Sequence, residues 1–235
     1  MTALLAASGL ALPGRLSDTD LVVAKPALIC LVGPNGSGKT SLLHALAGIG
    51  APAGSVSIGG ADRDAAGPAE RRRLLAYLPA AREAAWPVTV LDLVGLGLPT
   101  DAGRAEADAA IASLQLEPLA NRRVDRLSTG ERSRALIARA LAPKPRLLLL
   151  DEPVANLDPL WQLRLMDLLK GTVADGQAVL IALHDLDLAA RYADRLIVMD
   201  GKRIAADGDP RGIMGSNAIR TVFGIEKGEE GWRPA

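Results

Sequence analysis

The run Gly33-Pro34-Asn35-Gly36-Ser37-Gly38-Lys39-Thr40 carries the sharpest chemical signal in the chain. A glycine, four residues and then Gly-Lys-Thr is the spacing of a loop built to hold phosphate. Small residues let successive backbone N–H groups turn onto phosphate oxygens, and the helix start that follows adds partial positive charge. In such a loop Lys39 pairs with the β- and γ-phosphates of a nucleotide, and the Thr40 hydroxyl ligates Mg²⁺. Ser41, next in line, joins the expected contacts. The competing reading is a glycine-rich turn with an incidental lysine. An apolar run before the loop and a helical pattern after it weigh against that reading.

A second signal is Asp151-Glu152, two carboxylates directly after Leu147-Leu148-Leu149-Leu150. A buried strand ending in acids puts them at the C-terminal edge of a parallel sheet, where ligands bind. Asp151 is then placed to hold Mg²⁺, directly or through water, and Glu152 to polarise an attacking water. The plainer alternative, a solvated strand end, loses ground beside the phosphate loop. The two signals together still leave GTPases, kinases and helicases open.

Rigid elements must hold these groups. Ala27 to Val32, Leu147 to Leu150 and Ala178 to Leu183 are short continuous apolar runs, the pattern of strands buried on both faces. Ser37 to Ala47 reads as a helix closed by Gly48. Pro159 opens another, running to about Lys170 with Leu160, Leu163 and Leu168 inward. Leu196 to Met199 and Lys202 to Ala205 read as a hairpin around Asp200-Gly201. Strands alternating with helices predict an α/β core on a mainly parallel sheet. From about residue 80 to 144 the pattern is helical, at Ala105 to Leu116 and Ser128 to Leu141. The expected organisation is one domain, with residues 1–79 and 145–235 as core and 80–144 as an inserted helical subdomain. The tail after Phe223 reads as a loose end.

Composition excludes several classes. The 235 residues carry a formal net charge of +0, which offers a nucleic-acid backbone no electrostatic attraction. Aromatics make up 3% of the chain, so the core must be aliphatic and stacking partners are scarce. The single cysteine, Cys30, cannot form an internal disulfide and fits a reducing compartment. Met1 to Ser8 is apolar but lacks a preceding positive charge and is soon interrupted by Pro13-Gly14, which predicts a first strand rather than a leader. No apolar stretch approaches bilayer length, so any membrane association is expected to run through a partner.

Leu127-Ser128-Thr129-Gly130-Glu131, opening a helix shortly before the acidic strand, resembles the LSGGQ-type signature of ATP-binding cassette (ABC) proteins. The order of the remaining motifs is similar too: phosphate loop, signature, Asp151-Glu152-Pro153, Asn156-Leu157-Asp158, then His184 after another strand. The resemblance implies a P-loop NTPase (RecA-like) core with an antiparallel β part and a helical subdomain. It implies an ATP hydrolase with ATP and Mg²⁺ as cofactors, and a head-to-tail dimer in which each phosphate loop faces a partner's signature. Ser128, Gly130 and Glu131 then belong to the nucleotide site, Asp158 to a loop linking the two sites, and His184 to a switch at the γ-phosphate. Ala76 to Pro79, Trp86 to Val94, His184 to Ala189 and Phe223-Gly224-Ile225 resemble the ATPases of iron-siderophore, haem and cobalamin importers. Implied partners are a second copy, transmembrane permease subunits and, indirectly, a substrate-binding protein. The implied location is peripheral, on the cytoplasmic face of the inner membrane. An exporter subunit and a poorly hydrolysing regulatory or soluble ABC protein are the alternatives.

Three positions depart from the family pattern. Ala80 stands where a glutamine usually senses Mg²⁺ and water, with Arg82 and Glu83 as partial substitutes. The aromatic residue that usually stacks on adenine is replaced near Leu10, and none occurs before the loop. Thr129 replaces the first signature glycine. The expected result is weaker nucleotide binding and slower basal hydrolysis. Permease contact is expected between about Arg82 and Thr100, with Leu91, Leu93, Val94 and Leu96 as lining or core.

Overall fold

A computed structural model describes residues 2–81, 86–99, 103–228 and 231–235. The elements are β1 (Leu5–Leu12), β2 (Leu16–Val23), β3 (Leu28–Val32), α1 (Lys39–Ala47), β4 (Ala53–Ile58), β5 (Ala61–Asp62), α2 (Pro68–Leu74) and β6 (Leu75–Leu78). After these come α3 (Val90–Gly95), α4 (Arg104–Ser113), α5 (Thr129–Leu141), β7 (Leu147–Asp151), α6 (Pro159–Ala174), β8 (Ala178–Ala182) and α7 (Leu186–Tyr192). The last are β9 (Arg195–Asp200), β10 (Arg203–Gly208), α8 (Pro210–Met214), α9 (Asn217–Phe223), β11 (Ile225–Gly228) and β12 (Gly231–Pro234).

The central sheet has six strands in the order β10-β9-β3-β8-β7-β6, parallel except for β10 against β9. Its inner strands are continuous apolar runs because both faces are covered. Side chains alternate between the two cores. Leu28, Cys30 and Val32 face α3 to α7, whereas Ile29 and Leu31 face α1 and the second sheet. That second sheet is antiparallel, in the order β2-β1-β4-β5. Cys30 is fully buried, and burial pushes its thiol up to about 12.

Helix α1 lies between the sheets, and its C-terminal carbonyls are held by two guanidinium groups. Arg63, only 2% exposed, donates to Ala45 O at 2.6 Å and Leu46 O at 3.2 Å, and Arg71 donates to Ala47 O at 3.1 Å. Cations suit that end of a helix dipole. They fix the helix whose other end carries the phosphate loop.

Three expectations need correction. The inner stripe of α6 is Leu165, Met166 and Leu169, while Leu160 is 55% exposed. Five residues before Leu165, Leu160 is turned about 140° from that stripe. The β9–β10 turn is Gly201-Lys202 rather than Asp200-Gly201, and both residues have positive φ, 51° and 66°. Such a pair matches the twist of a two-residue hairpin. The tail is not loose. It folds back as the β11–β12 hairpin, and Lys227 Nζ (2.7 Å) and Trp232 Nε1 (3.1 Å) donate to Asp187 on α7. Among the described residues, no helix is long and apolar enough to cross a membrane.

Candidate nucleotide site

The loop between β3 and α1 forms the floor of a cavity of about 300 Å³, lined by residues 35–41 with Glu152. Sterics dictate two of its glycines. A Cβ at Gly33 would lie 2.3 Å from Met199 O, and Gly38, at φ 108°, would bring one to 3.0 Å from the Lys202 Cα. Gly38 caps α1 without a side-chain acceptor, so the first-turn N–H groups have no side-chain cap competing for them. Ser37 Oγ is buried with no hydrogen-bond partner among the described residues. A buried hydroxyl without a partner fits a ligand that brings acceptor oxygens.

Lys39 is buried, and its Nζ donates to Gly33 O at 2.7 Å and Pro34 O at 3.1 Å. Burial pushes its pKa down, while the charges of Glu152 and Asp151 oppose that shift. The cation is thus already folded into the cradle, held by Gly33 and Pro34 themselves.

Asp151 ends β7, is fully buried, and hydrogen-bonds with the Thr40 side chain. Burial pushes its pKa up and the Thr40 hydrogen bond pulls it down. A buried carboxylate beside a hydroxyl is a hard-oxygen pair that suits Mg²⁺ shared with phosphates. Among the described residues there is no cluster of three acidic, His or Cys side chains that could hold a metal by itself. Two protein oxygens are what a phosphate-shared ion requires.

Glu152 follows at φ 49°, a left-handed conformation that costs a non-glycine residue ~1–3 kcal/mol. Its N–H donates to Ala182 O at 3.2 Å, which helps hold that turn. Its carboxylate meets His184 Nε2 at 2.5 Å. Strands β7 and β8 are neighbours with Asp151 opposite Ala182, so the two strand ends deliver acid and histidine to one edge. The loop, Thr40, Asp151, Glu152 and His184 therefore meet.

Ser128, Gly130, Glu131 and Asp158 do not line that cavity. Ser128 caps α5: its Oγ accepts from Glu131 N at 3.3 Å, and Ser128 N donates to Glu131 Oε2 at 2.8 Å. Thr129 is the first helical residue and lies exposed. Asp158 caps α6, accepting from Trp161 N at 2.9 Å. A Cβ at Gly130 would lie 3.5 Å from Asn156 O, so these two segments form a second, adjoining surface.

The expected base-contacting position is misplaced. Leu10 is fully buried in the core beneath β1. The cavity is instead lined by Gly14 and Arg15 from the β1–β2 turn, several residues further on, and by Lys202 from the β9–β10 turn. Sequence reasoning missed all three, although Pro13-Gly14 was a visible turn signal. Ala80 is exposed two residues beyond β6, and Arg82 and Glu83 lie outside the described residues. The expected permease segment also begins and ends outside them. Within it, Leu93 and Val94 are core and Leu91 is half-buried, while Leu96 is 55% exposed. Leu96 lines a groove of about 360 Å³ with Tyr77, Pro79, Trp86 and Leu136.

The sequence profile of the family described as "ABC transporter" matches residues 16–155. The chain is 39% identical over 216 residues to the hemin import ATP-binding protein HmuV of Nocardia farcinica, covering 88% of this chain and 75% of that protein. It is 38% identical over 217 residues to the cobalamin import ATP-binding protein BtuD of Halobacterium salinarum, covering 88% of this chain but only 54% of that longer protein. A solved ATP-binding subunit of an ABC transporter superposes with a TM-score of 0.80 at 27% identity, covering 94% of this chain and 93% of that one. The dimeric structure of a bacterial ABC transporter cassette gives a TM-score of 0.78 at 26% identity, covering 88% and 99%.

Proposed function

Because the chain belongs to the ABC transporter family, we propose that it is the motor of an importer for an iron chelate, haem or a cobalamin-type compound. It is an ATP hydrolase of the P-loop NTPase fold that binds ATP and ADP, dimerises and serves a membrane permease. The cargo reading is supported by the import functions in the names of its relatives. The groove beside Trp86 and Leu96 is where a permease segment would seat. A substrate-binding protein would act indirectly, and the cytoplasmic face of the inner membrane would be the working location.

The motor reading rests on one observation: the Glu152–His184 pair and the Thr40–Asp151 pair share a sheet edge above the phosphate loop. In the resulting mechanism the loop N–H groups and Lys39 hold the β- and γ-phosphates. Thr40 and Asp151 would hold Mg²⁺, which when bound neutralises phosphate charge. Glu152 takes a proton from a water as its oxygen bonds the γ-phosphorus and the bond to the bridging oxygen of ADP breaks. His184 orients the Glu152 carboxylate. The N-terminus of a partner's α5, with Ser128 and Gly130, would close the site, Asp158 linking the two halves. Residues 80–144 would then act as the arm of a single cassette. Ala80 offers no amide to this arrangement, so basal turnover is expected to be slow.

Steady-state phosphate release by the purified chain tests the reading. Turnover should fall by about 10²–10⁴-fold in Glu152→Gln and rise several-fold in Ala80→Gln. An Ala80→Gln variant no faster than wild type removes Ala80 as a brake. Uptake of a ferric siderophore, haem and a cobalamin into vesicles carrying the copurified permease tests the cargo, and failure to transport any of the three overturns it.

A further inference from the structure

Two cations outside every recognised motif stand at the phosphate cavity. Arg15 ends the turn between β1 and β2, and Lys202 closes the turn between β9 and β10; both line the cavity floored by the loop. Backbone bonds tie the three segments together. Lys202 N donates to Ser37 O at 2.9 Å, and Ser17 N donates to Lys202 O at 2.8 Å. The cations are thus registered against the loop by its own main chain.

Among the described residues neither side chain meets a carboxylate. The Lys202 ammonium has no hydrogen bond or ion pair among the described residues, although the residue sits at φ 66°, a conformation that favours glycine. That φ belongs to the two-residue β9–β10 turn, which puts Lys202 at the cavity. Arg15 Nη2 lies 3.2 Å from His44 Nδ1 and meets no carboxylate among the described residues. A guanidinium only donates, so His44 Nδ1 is the acceptor and the imidazole is neutral there. Burial and the Arg15 charge both hold the His44 pKa down, in agreement. No aromatic side chain lines the cavity among the described residues. Among the described residues this cavity offers a base no stacking platform, whereas a phosphate chain in it would meet Lys39, Arg15 and Lys202.

We infer that Arg15 and Lys202 are nucleotide-binding residues that grip the phosphate chain, so that this cassette recognises nucleoside triphosphates by charge and discriminates weakly between purine bases. This rests on the nucleotide-site reading above. It goes beyond that reading in assigning two residues and a specificity.

The test is calorimetric titration of the full chain with ATP, GTP and inorganic triphosphate over a range of ionic strength. Wild type, Arg15→Gln, Lys202→Gln, Lys202→Arg and Lys39→Ala are compared. ATP and GTP should bind wild type within a factor of about three, since the stacking contribution is missing. Arg15→Gln and Lys202→Gln should each weaken all three ligands by about fivefold and flatten the salt dependence. Lys202→Arg should retain both. An effect confined to ATP, an unchanged salt slope, or a preference for ATP over GTP beyond tenfold would overturn the inference. Failure of wild type to bind any of the three ligands, matching Lys39→Ala, would instead overturn the nucleotide site itself.

Discussion

Two helices open on segments expected to face phosphate, and their first turns are built differently. Helix α1 starts at Gly38 with no side-chain cap, behind a loop that leaves Ser37 Oγ buried and unbonded among the described residues. Helix α5 starts at Ser128 with a complete capping box, Ser128 and Glu131 each holding the other's backbone N–H. A turn without a side-chain acceptor keeps its donors for a ligand, whereas a capping box uses donors internally. The first site is made before nucleotide arrives. The second is a finished helix end, and docking onto a partner's nucleotide has to compete with bonds it already has.

The largest effect expected on the α1 side is at Glu152. Replacing Glu152 with Gln removes the proton acceptor but leaves the loop, Thr40 and Asp151 in place. Turnover should fall by about 10²–10⁴-fold. Nucleotide binding should survive, and an ATP-dependent dimer should accumulate on size-exclusion chromatography. Retained turnover would remove Glu152 as the base and with it the claim that the α1 side holds the chemistry.

On the α5 side the matching change is Ser128→Ala. It deletes a cap worth ~1 kcal/mol of stability and a hydroxyl expected to donate to the partner's γ-phosphate. In a Glu152→Gln background, sedimentation should show ATP-driven dimerisation weakened by about tenfold, the equivalent of one hydrogen bond to a charged group. Binding of ATP by the monomer should not change. A variant that loses monomer binding would place Ser128 in the first site and dissolve the contrast.

The same contrast governs what was legible in the sequence. The α1 side was, because the phosphate loop and the strands β3, β7 and β8 are contiguous runs whose residue types dictate their conformation. Local pattern also placed α5 and its first turn. What it could not place were residues that reach the site through tertiary packing. Arg15 and Lys202 come from turns of two different sheets, brought together by Ser17 N, Lys202 and Ser37. Leu10 was assigned by counting along the chain, but strand alternation turns it into the core. The docking of the β11–β12 hairpin over Asp187 likewise depends on the surface that α7 presents, some forty residues earlier in the chain. The exposure of Leu160, by contrast, was legible, since helical periodicity alone turns it away from Leu165, Met166 and Leu169.

The smallest effect, and the finest test of the contrast, is at Glu131. Its carboxyl is held below its ordinary value of 4.5, first by the Ser128 backbone N–H and then, against the cost of burial, by the Ser128 side chain. A depressed folded pKa means the cap contributes stability above the ordinary value and loses it as pH falls through the lowered one. Glutamine also completes a capping box, so Glu131→Gln should keep the helix start. The acid-side loss of stability, read by thermal melts between pH 5 and 3, should become shallower than in wild type. At neutral pH the variant should dimerise with ATP several-fold better, because a negative charge is removed from the turn that meets a partner's γ-phosphate. Unchanged dimerisation with a shallower acid profile would show that the box shields its charge fully, leaving the open and self-capped helix ends equivalent toward phosphate.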